Sequence, residues 1–447
     1  MNHNKFREEL WDFYREGTGE RGERFRTKVF EKLDKMYDES LSAYEMKAMQ
    51  YKTISEMLEP KLFYTSPYYY ETATMWAHCD GSRTFRGYSH AGGWTFDKNS
   101  HLFRDQNPEL YDLVLTHLDE ILYNGIYNDT TQHFNFNNRP ILAGGLKSVY
   151  EKTLNALKSA ENDTERAYLE TTCEGLLALK RISEKFSETA REMIETAPDE
   201  KARENMRLIY ETARRVPWEK PETLYEALNT LAFMRKALGT LEGIGPNTFG
   251  RLDYDLAPFY ENDIKEGRLT KDSAYDLICK FLLTWDLHFD HDFKMVQYAD
   301  HELENTYVIG GCDMDGNPFC NDLTLMFLRA SREEDIIFPK IVCRYNKNSP
   351  KEYLDEANIA VTNGTSTLLF QNDDATIPAL IREGKTAEEA RDFLITGCWG
   401  IVSNGVEKTD AGFYVNILKP LEYMLHARHD IIEKIKKTSC IPFPIVL

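Results

Sequence analysis

Cys398 stands in the string Gly397-Cys398-Trp399-Gly400, which follows the strand-like run Leu394-Ile395-Thr396. Glycine tolerates backbone conformations closed to other residues and lets a ligand or a second backbone approach closely. A thiol held between glycines at the end of a strand has the placement of a reacting group. The same string also suits a small apolar filler in a tight turn, and residue types alone leave both readings open. The eight cysteines, at 79, 173, 279, 312, 320, 343, 398 and 440, form no CxxC pair. That spacing argues against a disulfide framework and against a structural zinc site. His288, His291 and Asp292 could form part of a metal site, but no third ligand is placed by a motif, so no metal is expected. Asp313, Asp315, Gly316 and Asn317 imitate the start of a calcium loop yet lack its distal glutamate, and are taken as a turn. Asn372, Asp373 and Asp374 are expected to cap the helix that follows them.

The elements that must hold these residues are legible in outline. Residues 1–55 are highly charged with helical periodicity, and residues 60–144 become rich in aromatics, Gly and Asn, as irregular segments do. A long helical region runs from Leu146, with Leu169, Cys173, Leu176, Leu177 and Ile182 on one face, and Pro217 and Pro221 interrupt it. The next amphipathic helix is expected to stop at Gly239. Beyond Gly243 short β-branched runs alternate with helical ones: TYVIGG, then PKIVCRYN, then a helix with Ser349 as N-cap and Gly364 past its end, then STLLFQND and LITG. That alternation specifies a β/α architecture.

Charge narrows the function classes. The 447 residues carry 54 Lys and Arg against 73 Asp and Glu, a net charge of −19. Such a surface repels phosphate backbones and anionic lipid, so neither nucleic acid nor membrane is an expected partner. No apolar run is long enough to span a bilayer, and the polar start lacks a signal core, so a cytoplasmic location is expected.

Six ordered blocks carry a family resemblance: GGLKSVYEK, RRVPWEKPETLYEAL, GPNTFGRLDYDLAPFYENDIKEGRLT, NTYVIGGCDMDGNPFCNDLT, CRYNKNSPKEYL with FQNDDATIPALI, and LITGCWG with AGFYVNILKPLEYML. From about Leu146 to residue 425 the sequence resembles the glycyl radical enzymes of the pyruvate formate-lyase and glycerol/diol dehydratase type. Residues 1–145 diverge, although His133 in QHFNFNNRP could match a family histidine. The resemblance implies an α/β fold, with a helical N-terminal region and the first half of a ten-stranded β/α barrel. In such barrels a cysteine loop and a glycyl radical loop meet at the centre. On that basis residues 1–447 form one pyruvate formate-lyase-like domain, residues 1–240 mainly helical and 241–447 the half-barrel with the cysteine loop.

The same resemblance implies function. Cys398 falls where the family carries its thiyl cysteine, which abstracts hydrogen from a small organic substrate in anaerobic metabolism. Trp399 and Gly400 would shape the pocket, and Thr409 and Phe413 lie where relatives place substrate-contacting residues. No cofactor is bound directly; the glycyl radical is installed by a radical S-adenosylmethionine activating enzyme, which is one implied partner, and the complete enzyme is expected to be a homodimer.

Two departures qualify this reading. Family dehydratases place Glu two residues after the cysteine, and here that position is Gly400. Glu407 and Asp410 follow in the same stretch and are taken as solvated loop carboxylates. Hydrocarbon-adding synthases of the family also lack that Glu. Second, only 49 residues follow Cys398 and no Arg-Val-x-Gly string occurs; the nearest, Arg215-Val216-Pro217-Trp218, has Pro in place of Gly. The glycine radical domain is therefore expected to be absent from this chain, with a separate C-terminal chain as a further partner. The alternatives are an inactive fragment, a non-catalytic subunit, or a C–C bond-forming synthase.

Overall fold

In this computed structural model the described residues are 2–15, 18–69, 126–242, 248–295, 306–365, 367–396, 400–407, 409–415 and 418–430, with 94, 95, 98, 108, 109, 112 and 433. The chain divides into two compact units, one of residues 1–98 and 132–410, the other of residues 99–131 and 411–447. In the smaller unit the described elements are strand β1 (Ile126–Phe134) and strand β8 (Thr409–Val415), which pair and run on into the larger unit, and one helix, Leu418–Leu425.

The larger unit begins with α1 (Asn4–Arg15), α2 (Thr18–Met36) and α3 (Ala43–Met57), and continues through α4 (Arg139–Lys158), α5 (Asp163–Glu195), α6 (Glu200–Ala213) and α7 (Leu224–Glu242). Local chemistry sets several of their starts. Ser42 and Glu45 form a reciprocal capping box on α3, and Asn162 and Asp199 accept backbone N–H groups at the starts of α5 and α6. The 33-residue α5 presents Leu176, Leu179, Ile182, Phe186 and Ala190 to a core shared with α3, α6 and α7. Helix α7 does not stop at Gly239 but runs on to Glu242. It is buried almost all round, and that packing overrides the local weakness of glycine.

Two of the resembling blocks bind each other. Within α4, Gly145 takes φ 70°, so the next two amides turn away from the helix. Leu146 N donates to Pro217 O at 2.8 Å and Lys147 N to Trp218 O at 2.9 Å. A side chain at Gly145 would put its Cβ 2.4 Å from Trp218 O, which explains the glycine.

Next come β2 (Thr248–Arg251), α8 (Leu252–Asp255), α9 (Ala257–Lys265), α10 (Lys271–Met295), β3 (Thr306–Gly310), α11 (Asp322–Glu333), β4 (Lys340–Tyr345), α12 (Lys351–Thr362), β5 (Leu368–Asn372), α13 (Asp373–Arg382) and α14 (Ala387–Arg391). The sheet is parallel in the order β2-β3-β4-β5, the outcome of strand–helix alternation. Alternate side chains divide its faces. Tyr307, Ile309, Ile341 and Cys343 join a core with α10, α11 and α12, whereas Val308 and Val342 point to the other side. That side is covered by an antiparallel hairpin, β6 (Phe393–Thr396) and β7 (Gly400–Ser403), which brings Phe393, Leu394, Ile395 and Val402 onto the sheet. Both faces of β3 and β4 are thus covered, while β5 at the sheet's end stays partly exposed. The Asp313–Asn317 segment is a turn: Asp313 Oδ1 accepts the amides of Asp315 and Asn317, and Gly316 takes φ 92°. Helix α12 is preceded by Pro350 without a side-chain cap, because the Ser349 hydroxyl is turned to the amide of Asn346 at 2.9 Å.

Candidate active site

Cys398 belongs to the three residues joining β6 to β7. Residues 397–399, including Trp399, lie outside the described residues, as does the side-chain environment of Thr409, Phe413, His133 and Asp410. The strands on either side of the cysteine are described. They pair Phe393 with Ser403, Leu394 with Val402, Ile395 with Ile401 and Thr396 with Gly400. Gly400 is therefore the first rung after the cysteine, and it offers no titratable group. Thr306 Oγ1 donates to Ile395 O at 2.7 Å and ties the hairpin to β3.

The hairpin's root is held by charge. Asp392 directly precedes β6, and its carbonyl accepts Asn404 N at 3.0 Å just past β7. Its carboxylate receives a fork from Arg139 Nη1 at 2.5 Å and Nη2 at 2.9 Å, while Arg139 Nε reaches Asp255 at 2.7 Å. Arg251 at the end of β2 places Nη1 3.5 Å from Asp392 and donates through Nη2 to Cys312 O at 2.6 Å. Arg344 on β4 makes a bidentate pair with Asp373, 2.9 Å on each arm, and Nη1 donates to Phe393 O at 3.2 Å. Its guanidinium lies 3.9 Å from the Phe393 ring centre.

Gly311 makes the pair possible. It takes φ 83°, and a Cβ there would fall 2.8 Å from both Arg344 Nε and Asp373 Oδ2. Asp373 is buried in this ion pair, and the capping expected of the Asn372–Asp374 stretch falls to Asn372, which accepts Asp374 N at 2.9 Å. The Glu407 side chain keeps 35% exposure but is not free. It accepts Ser403 N at 2.7 Å, pairs with Lys385, and its carbonyl accepts Asn135 Nδ2 at 3.2 Å.

The electrostatics follow from burial. It pushes Asp253 up to about 6, although Gly310 N and Thr324 Oγ1 donate to that carboxylate at 2.7 Å each. Asp255 is raised by burial against the pull of Arg139. Arg251 is lowered by burial and by the neighbouring Arg344 charge. Burial opposes the charge of Arg139, but Asp255 and Asp392 outweigh it and hold its pKa above the ordinary value. Burial also lifts the thiols at 173, 279, 312, 320 and 343, to about 12 at Cys279 and Cys343. These five stay protonated at neutral pH and are poor nucleophiles and ligands. Among the described residues no cluster of His, Cys, Asp and Glu could hold a metal ion, and no helix is long and apolar enough to cross a membrane.

Sequence reasoning singled out the cysteine and missed the arginines. Arg251, Arg344 and Asp392 each left a signal, a charged residue in or beside an apolar strand. A buried charge demands a partner, but one sequence does not say which partner answers it.

Residues 119–439 match the pyruvate formate lyase-like family. The chain is 30% identical over 290 residues to trans-4-hydroxy-L-proline dehydratase of Clostridioides difficile, covering 63% of this chain and 36% of that protein. It is 27% identical over 313 residues to isethionate sulfite-lyase of Nitratidesulfovibrio vulgaris, covering 64% and 36%. A structure concerned with 1,2-propanediol dehydration in Roseburia inulinivorans superimposes with a TM-score of 0.69 at 21% identity, over 86% of this chain and 52% of that one. The glycerol-bound B12-independent glycerol dehydratase of Clostridium butyricum gives a TM-score of 0.68 at 17% identity, over 89% and 55%. The chain thus spans about a third of the curated relatives' length and about half of the solved chains.

Proposed function

The chain belongs to the pyruvate formate lyase-like family, and on that premise we propose that it carries the cysteine half of a glycyl radical lyase. Cys398 is the residue that, as a thiyl, abstracts a hydrogen atom from a small organic substrate. The observation that supports this most is that the strands flanking residue 398 in sequence are paired, with their root fixed by buried arginine–aspartate pairs. A hydrogen-abstracting sulfur must meet one C–H bond at near-contact distance, so its carrier has to be rigid.

The glycyl radical, installed by a radical S-adenosylmethionine activating enzyme, is the group that generates the thiyl when the enzyme is charged. A separate C-terminal chain bearing that glycine and a homodimer of the completed enzyme belong to the same reading, as do substrate contacts from Trp399, Gly400, Thr409 and Phe413. The deciding experiment is Cys398→Ala in the enzyme completed with a C-terminal half and charged anaerobically. Turnover should vanish while the glycyl doublet in the EPR spectrum persists; retained turnover removes Cys398 from the mechanism.

A further inference from the structure

We propose that Arg139, Arg251 and Arg344, with Asp373 and Asp392, are positioning residues that fix the register of the β6–β7 hairpin; this rests on the reading that Cys398 reacts. The three arginines come from three separate segments and converge on one end of one short element. Arg139 forks onto Asp392, Arg251 approaches the same carboxylate, and Arg344 grips the carbonyl of Phe393, the next residue. Asn135 and Lys385 hold Glu407 at the same end.

Stability alone does not account for this arrangement. Buried ion pairs roughly break even against well-packed apolar side chains of similar volume. The Arg344–Asp373 pair further requires a left-handed glycine at 311 to admit it, and in the network Arg251 Nε is buried with no hydrogen-bond partner among the described residues. What a forked pair supplies, and an apolar contact does not, is direction. The hairpin has four rungs, too few to specify its own pairing strongly. A slip of one residue turns every side chain to the opposite face. Such a slip would carry Cys398 from one side of the hairpin to the other. Burial of Leu394, Ile395 and Val402 opposes such a slip, and the forks at Asp392 and the bond to Phe393 O add directional anchors at the root.

The test separates packing from positioning in the full 447-residue chain. In the double variant Arg344→Met with Asp373→Leu, the buried pair is replaced by apolar side chains of similar length. The unfolding midpoint should stay near that of the parent. Hydrogen exchange of the amides in 394–396 and 401–403 should quicken about tenfold or more relative to those of α5. Alkylation of Cys398 by iodoacetamide, read by peptide mass spectrometry, should change severalfold while Cys343 stays protected. A folded variant with parental hairpin exchange and parental Cys398 alkylation overturns the proposal, and so does a loosening shared equally by α5. If the double variant does not fold, Arg139→Gln at the partly exposed end of the network decides by the same readouts: faster hairpin exchange supports the proposal, unchanged exchange overturns it. Neither readout needs turnover, so a failure of the radical reading shows up separately, in the activity of Cys398→Ala.

Discussion

At the scale of single residues, glycines decide what the charged and sulfur-bearing groups can do. Gly311 takes a positive φ and leaves no room for a Cβ beside Arg344 and Asp373. Gly311→Ala should lower stability by about 2–4 kcal/mol, a strained backbone added to a broken ion pair; urea denaturation against the parent measures it, and a loss below ~1 kcal/mol contradicts the geometry. Gly400 has a chemical consequence. No carboxylate stands on the first rung after the cysteine, and Glu407 is already committed to Lys385 and Ser403 N. On the proposed reading, no described carboxylate after the cysteine is free to take the place of the dehydratases' glutamate. The completed enzyme should turn over neither glycerol nor 1,2-propanediol, and should act on a substrate cleaved at a C–C or C–heteroatom bond or joined by radical addition. Rapid aldehyde formation from either diol, followed with a coupled NADH assay, would show that another group supplies the proton. Cys398 could be proposed from sequence because its glycines are local in sequence. The partners of Arg344 were not, because Asp373 is 29 residues away and only the fold joins them.

At the scale of elements, periodicity found most helices and the β-branched strands, and the misreadings share one cause. Gly239 and Ser349 carry helix-end chemistry, but burial of α7 and the amide of Asn346 used those residues otherwise. No sequence signal announced how α1 is attached. His3, fully inside the protein, contacts Asp276 at 3.0 Å on α10 and Glu334 at 2.9 Å beside α11; Arg7 also reaches Glu334, and Lys280 reaches Asp276. Hydrogen bonds to Asp276 and Glu334 raise the His3 pKa from 6.5 to about 9. A folded pKa above the unfolded one means the stabilisation is whole below pH ~6.5 and is lost as pH rises through about 9. Asp276 behaves oppositely. Despite burial, His3 and Lys280 hold it down to about 2, so its share is present above pH ~4 and lost on acidification through about 2. Proteolysis within α1 should be slowest near pH 5–6 and speed up between pH 7 and 9. His3→Ala should remove that alkaline rise; a rise that survives in the variant assigns it to another group.

At the scale of the whole molecule, the parallel sheet is the feature with the largest unmet demand. Among the described residues β5 pairs with β4 alone, and no described strand lies along its other side. Along β5, Phe370 is 43% exposed, and its ring meets Tyr345 edge-on at 6.3 Å. An apolar strand with a free edge is a template for pairing with another chain. The isolated chain should therefore self-associate with rising concentration through β5, despite a net charge of −19 that opposes association. Added salt screens that repulsion, so the tendency should grow with ionic strength. Phe370→Lys places a charge on the edge and removes the exposed ring. It should shift the association midpoint to about tenfold higher concentration, with the unfolding midpoint almost unchanged because the side chain is already half in solvent. Light scattering coupled to size exclusion measures both proteins at two salt concentrations. A parent that stays monomeric at high concentration and high salt, or a variant that associates as strongly as the parent, would show that the β5 edge is not where copies meet.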